Sequence, residues 1–146
     1  MASLIKVFVP RDSTALSLGA DRTAKAILAE ADKRGLDIEL IRNGSRGLFW
    51  LEPMVEIETT KGRIAYAPVK PADVVSLFDA GFLEGGNHPL YQGFTEEIPY
   101  FKNQQRLTFA RAGITDPVSL DDYLVHDGYK GLANALAMSP EDIVKA

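Results

Sequence analysis

Cysteine is missing altogether from the 146-residue sequence. Its absence excludes disulfides, thiolate nucleophiles, thiolate zinc sites and cysteine-ligated iron-sulfur clusters together. Histidine is nearly as scarce: His88 and His126 lie far apart in turn-like sequence, and neither makes a motif. Positive charge is not in excess either. A formal charge of -4 and a pI near 5.2 argue against a nucleic-acid partner, which is bound by basic surface that displaces counterions from phosphates. No apolar run approaches the roughly 20 residues a membrane helix needs. Met1-Ala2-Ser3 leads straight into a strand-like segment with no signal peptide. Both observations predict a cytoplasmic chain with no membrane contact. Also absent are G-x-G-x-x-G, Walker, H-E-x-x-H and G-x-S-x-G patterns, so no local motif marks an active site.

What is present reads as a folded α/β chain. Hydrophobic residues at 46% and charged residues at 25% are ordinary globular proportions. Leu4 to Pro10 (LIKVFVP) predicts a first strand, ended by a proline. Asp12 or Ser13 caps a following helix, whose apolar or small positions Leu16, Ala20, Ala24, Ile27, Leu28 and Ala31 recur at helical spacing, and Gly35 ends it. Asp37 to Arg42 alternates as a second strand, giving a βαβ unit with a parallel pair. Beyond the loop Asn43 to Gly47 and the apolar turn Leu48 to Leu51, Met54 to Thr59 and Arg63 to Ala67 predict an antiparallel hairpin. Pro71 opens a short helix with Val74, Val75, Phe78 and Phe82 on one face. The order βαβ, loop, ββα is that of thioredoxin-like folds.

From Leu90 to Pro117 no period is sustained, and the segment reads as extended or irregular. Ser119 to Asp122 and Ser139 to Asp142 fit capping boxes that open short helices, with a third from Tyr129 to Met138 between them. The last helix has barely begun at Ala146, so the chain is expected to be a fragment of something longer. Residues 1–89 are expected to form the thioredoxin-like domain, and residues 90–146 an extended linker followed by a mostly helical extension. Glu96-Glu97 and Asp121-Asp122 are adjacent carboxylates that point apart on a strand or a helix, and helix-start carboxylates serve the dipole. His126-Asp127 reads as a solvated turn. Phe49 and Trp50 read as core or interface aromatics before a ligand platform.

Ser45 and Phe49 stand four apart in SRGLF, just before Glu52-Pro53-Met54-Val55. The stretch resembles the thioredoxin-like [2Fe-2S] ferredoxin domains of complex I and of related hydrogenases and formate dehydrogenases, in which a C-x3-C pair occupies such a loop. Ser45 and Phe49 fall on the two cysteine positions, and the loop from Arg11 to Leu18, where the family keeps its other pair, has no cysteine. The resemblance therefore implies a degenerate site kept as a packing and docking surface, with the cluster lost. A second resemblance, from Arg106 through Pro140, is to the start of the flavoprotein domain of complex I's flavin- and NAD-binding subunit, ending before the glycine-rich flavin loop. The closer fit is to the beta subunit of NAD-dependent formate dehydrogenases, through Val9 to Asp21, Arg42 to Glu56 and Thr108 to Tyr123.

That resemblance implies an oxidoreductase that passes electrons from formate, oxidised at a molybdenum or tungsten cofactor in another subunit, through iron-sulfur clusters and FMN to NAD. This chain is expected to hold no cofactor, no metal and no catalytic residue. It is expected to contact neighbouring formate dehydrogenase subunits and the downstream flavoprotein domain. The expected contact surface comprises Ser45, Arg46, Leu48, Phe49, Trp50, Leu51 and Pro53. The alternatives are the same portion of an NAD-reducing hydrogenase or complex I type subunit, or a stand-alone thioredoxin-like binding module.

Overall fold

The computed structural model of the chain describes residues 4–146; Met1-Ala2-Ser3, on which the signal-peptide reading rests, lie outside them. Strand β1 (Ile5–Phe8) stops short of Pro10, which has no N–H to give a ladder. Asp12 then caps α1 (Ser13–Ser17), its Oδ1 accepting the Ala15 N–H at 2.9 Å. The single helix expected from here to Ala31 is in fact two. Gly19 takes a left-handed φ of 102°, which breaks the helical run, and α2 (Ala20–Lys33) starts after it. Of the apolar or small positions at helical spacing, Leu16 and Leu28 are 41% and 45% exposed, whereas Ala20, Ala24, Ile27 and Ala31 are buried. Gly35, with a φ of 65°, turns the chain into β2 (Ile38–Ile41), parallel to β1 from Ile5 opposite Ile38 to Phe8 opposite Ile41.

Strands β3 (Val55–Thr59) and β4 (Gly62–Tyr66) form the expected antiparallel hairpin, and β3 also pairs with β1. A fifth strand, β5 (Tyr91–Phe94), pairs with β4 and completes a sheet of order β2-β1-β3-β4-β5. It lies within the segment read as irregular. Its sequence, YQGF, has no alternation because it is a short, largely exposed edge strand with Gly93 at a φ of 88°. The sheet thus continues past residue 89, the expected end of the first domain. Between β4 and β5, α3 (Val74–Asp79) buries Val74, Leu77 and Phe78, while Val75, expected on the same face, is 47% exposed. The spacing i, i+3, i+4 selects Leu77 over Val75 for the covered side.

The period-2 pleat divides the sheet's residues between two cores. Val7, Val9, Val55, Ile57, Ile64 and Tyr66 face α2 and α3 and pack with Ile27, Leu77 and Phe82. Thr23 ties α2 down by donating its hydroxyl to the Val69 carbonyl at 3.0 Å. The opposite face carries a smaller core of Leu48, Met54, Ala65, Ala67 and Phe101, the last from α4 (Pro99–Lys102). Glu56 lies between Val55 and Ile57 and so points to this second face. The chain ends in α5 (Leu120–Val125), α6 (Lys130–Leu136) and α7 (Pro140–Lys145). Ser119 and Ser139 each accept the backbone N–H three residues on at 3.2 Å, as the capping pattern predicts. None of these three helices contains a buried residue. No helix among the described residues is long and apolar enough to cross a membrane.

The phase of α2 is testable with neighbouring residues. Ile27→Ala is expected to cost about 2–5 kcal/mol in urea unfolding, because it empties a fully buried site. Leu28→Ala is expected to stay within about 0.5 kcal/mol. Equal losses would contradict the helix register described here.

Candidate functional site

The loop between β2 and β3 begins with Arg42 and ends with Met54. Ser45 donates its hydroxyl to Glu52 Oε1 at 2.7 Å and accepts the Gly47 N–H at 3.0 Å. Met54 N–H donates to Glu52 Oε2 at 3.1 Å, so a carboxyl group only 5% exposed is held from both sides. Burial pushes the Glu52 pKa up; the two hydrogen bonds oppose that rise, and the negative charges of Asp12 and Glu56 add to it.

Beyond Gly47 the chain makes one 3-10 turn, Phe49–Leu51. Phe49 and Trp50 project outward, 54% and 64% exposed, and Trp50 rests edge to face on Tyr100 at 5.3 Å. Ser45 and Leu51 are half-buried. Arg46, Leu48 and Pro53, expected with them on a contact surface, are buried instead. Leu48 fills the second core beside Met54 and Phe101, and Arg46 turns inward to reach a carboxylate.

That carboxylate is Glu56, 1% exposed. Arg46 grips it with two N–H groups, Nε to Oε2 at 3.2 Å and Nη2 to Oε1 at 2.9 Å, and spends Nη1 on Glu96 at 2.6 Å. Burial opposes the Arg46 charge, but Glu56 and Glu96 more than offset it and raise the pKa. Arg63 adds a second cation 3.9 Å from Glu56, its guanidinium stacked 3.4 Å over the Phe8 ring. The same groups bind the extension. Arg63 donates to the Gly113 and Ile114 carbonyls at 3.0 Å each, Asn43 donates to the Gly113 carbonyl at 2.7 Å, and Arg106 donates to the Arg46 carbonyl at 2.9 Å. Gly44 N–H reaches the Thr115 carbonyl at 3.3 Å.

Gly113 has a φ of 77°, and a Cβ there would stand 2.5 Å from Arg46 Cδ and Cγ. Only glycine allows the strap from Arg106 to Thr115 to lie this close. Between strap and loop runs an open groove of about 730 Å³, walled by Asp12, Ser45 and Phe49 on one part and Tyr100, Arg106 and Phe109 on another.

These donors do not fit a [2Fe-2S] cluster, which takes four thiolates or two with two imidazoles. Asp12 is engaged in capping α1, the Ser45 hydroxyl lies between Glu52 and Gly47, and the Phe49 ring has no donor atom. Among the described residues no group of three His, Cys, Asp or Glu side chains is placed to hold a metal ion. The adjacent carboxylates do not converge on one another: Glu96 serves Arg46 and Glu97 pairs with Lys102, while Asp122 accepts the Asp116 N–H at 2.7 Å. His126 turns back on its own helix, with Nδ1 2.8 Å from the Asp122 carbonyl.

No protein-family model matches the chain. Over 43 residues it is 44% identical to the NADP-reducing hydrogenase subunit HndC of Solidesulfovibrio fructosivorans. That stretch is 30% of this chain and spans only 9% of the relative. Among solved structures, the thioredoxin-like [2Fe-2S] ferredoxin of Aquifex aeolicus aligns with a TM-score of 0.55 and 16% identity, over 67% of this chain and 98% of that one. A cysteine-to-serine variant of that ferredoxin gives 0.50 at 20% identity, over 60% and 97%. At such identities the likeness establishes architecture, and the architecture is the thioredoxin-like α/β fold anticipated from the element order.

Two substitutions probe the loop. Arg46→Met is expected to destabilise the chain by up to about 3–5 kcal/mol, because buried Glu56 loses its two short hydrogen bonds and keeps only Arg63 at 3.9 Å and Asn43 at 3.5 Å, and Arg46→Met with Glu56→Gln to recover part of that loss. Urea titration checks both. Because Glu52 holds its proton to higher pH in the folded chain than in the unfolded one, its contribution is complete below the ordinary carboxylate range and is lost as pH rises through the raised value. Glu52→Gln should therefore gain stability relative to the parent as pH rises through that window, then level off; a pH-independent difference would sink the assignment.

Proposed function

We propose that this chain is the N-terminal, non-catalytic assembly portion of the NADH-forming flavoprotein subunit of a cytoplasmic, NAD-dependent formate dehydrogenase. Its thioredoxin-like unit packs and orients; it carries no electrons itself. In this reading formate is oxidised at a molybdenum or tungsten centre in a neighbouring subunit, and FMN, NAD and the iron-sulfur clusters are held elsewhere in the enzyme. Residues 1–89 with β5 make the docking unit, and α5, α6 and α7 begin the flavoprotein domain.

The observation that carries this reading is the use made of the loop. Arg46 and Asn43, on either side of Ser45, bind the strap from Arg106 to Thr115, where a ligand loop would be built to hold metal. The long runs at Val9 to Asp21, Arg42 to Glu56 and Thr108 to Tyr123 support the formate dehydrogenase parent. A second reading, the same portion of a hydrogenase subunit, is favoured by the 43-residue match at 44% identity. The two differ in the electron donor, not in the role of this domain.

The full-length subunit, purified with the products of the neighbouring genes, is expected to form NADH from NAD on addition of formate. NADH formed with hydrogen and not with formate would move the assignment to the hydrogenase. An assembly that reduces NAD with neither would overturn both.

A further inference from the structure

Asn43-Gly44 sits where the loop after β2 meets the strap from Arg106 to Thr115. Of the four asparagines, Asn43, Asn87, Asn103 and Asn134, only Asn43 precedes a glycine. An asparagine before glycine is the one most open to cyclisation, because no side chain shields the next backbone nitrogen from the asparagine's own Cγ. Shape does not require glycine at this position. Gly44 has no left-handed φ, and a Cβ there would meet Gly113 N at 3.8 Å, an ordinary contact. Gly113 is the contrast, with its φ of 77° and only 2.5 Å from a Cβ to Arg46.

Both groups that cyclisation needs are held, and the strap supplies the hold. Asn43 is 2% exposed; its Nδ2 donates to the Gly113 carbonyl at 2.7 Å and lies 3.5 Å from Glu56 Oε2. Gly44 N–H donates to the Thr115 carbonyl at 3.3 Å. The other end of the amide is loose: Asn43 Oδ1 is buried and meets no donor among the described residues. The Asn43 backbone is fixed independently of the strap, its carbonyl accepting the Arg11 N–H at 2.9 Å. A seated strap thus anchors the leaving amide, turns the attacking nitrogen toward another acceptor and shuts out water.

We propose that Asn43-Gly44 is a hydrolytic modification site that the strap keeps shut, and that the product of modification keeps the strap from seating again. With the strap off, Gly44 N gives up its proton and bonds to Asn43 Cγ, the Cγ–Nδ2 bond breaks, and the amide nitrogen leaves as ammonia. Water then opens the cyclic imide at either carbonyl, leaving aspartate or isoaspartate at position 43. The net change is amide plus water to carboxylic acid plus ammonia, with no redox partner. The new carboxylate has no N–H to offer the Gly113 carbonyl, and it stands beside Glu56, to which Arg46 and Arg63 are already committed. Isoaspartate also adds a methylene to the backbone, which moves the Gly44 N–H away from Thr115. The proposal concerns this loop alone and holds whichever electron donor the parent enzyme uses.

The test incubates the full chain in neutral buffer and follows aspartate and isoaspartate at residue 43 by peptide mass spectrometry. Conversion in the folded chain is expected to be about tenfold slower than in urea. Gly113→Ala, which drives a Cβ into Arg46, is expected to speed conversion in the folded chain several-fold. Arg106→Ala, which removes the bond to the Arg46 carbonyl from a half-buried side chain, is expected to do the same and serves if Gly113→Ala does not fold. Ile27→Ala, which weakens the main core on the other side of the sheet, should leave the rate at residue 43 unchanged while the chain is folded. Gly44→Ala should slow conversion in urea. Asn43→Asp reproduces the product: tryptic cleavage at Arg106 and Arg111 is expected to quicken about tenfold, with hydrogen exchange in β1 and β3 at the parent's level.

Conversion as fast in the folded chain as in urea would overturn the proposal. So would equal acceleration by Ile27→Ala and Gly113→Ala, or a strap in Asn43→Asp that resists trypsin as the parent's does.

Discussion

A carboxylate buried in the middle of a sheet is costly unless cations and hydrogen bonds surround it, and the second face of this molecule is organised around meeting that condition for Glu56. Its position in β3 is fixed by the pleat, since Val55 and Ile57 on either side are committed to the main core. Two arginines from different parts of the chain, Arg46 and Arg63, must then come to it, and each arrives with donors to spare. Arg63's spare donors bind the strap, whereas Arg46 gives its remaining donor to Glu96 and offers the strap its backbone carbonyl. Removing the charge would leave the first core intact while depriving Arg46 of the loop and Arg63 of β4 of the partner they share.

The main core follows from simpler rules. Short strands with β-branched residues, a 14-residue helix with small residues on one side, and glycines at the reversals account for it. The second core is thinner and mixed, with Leu48, Met54, Ala65, Ala67 and Phe101 beside the ion pair. A face built this way gains less from apolar burial, and the charge-assisted bonds define its geometry. Rigidity there suits the docking role proposed above, because a loose strap would have to be ordered each time a partner bound.

Reading the sequence recovered what depends on local pattern. The parallel βαβ unit, the hairpin around Gly62 and the caps at Ser119 and Ser139 all rest on neighbours within a few residues, where propensity and spacing carry the signal. The fifth strand was not legible, because an edge strand of four residues with a central glycine has no alternation to read. Nor was the burial of Glu56, since its alternation in MVEIET is the same whether that face meets water or a folded-back strap. The stretch from Ser45 to Pro53 reads in sequence as one contact surface, and the division of its side chains between outside and inside is not legible there. That Phe49 and Trp50 face out while Arg46, Leu48 and Pro53 face in is decided by residues as distant as Phe101 and Gly113.

Trp50 is the chain's single tryptophan, and it sits on the surface, leaning on Tyr100 and not on the main core. In most domains indole emission follows the melting of the interior. Here it follows the polarity of the outer face beside the groove, so the molecule has an intrinsic optical label on the side where contact is expected. A red-emitting indole belongs to the bare surface, and a shift to the blue records its coverage while the fold beneath stays unchanged.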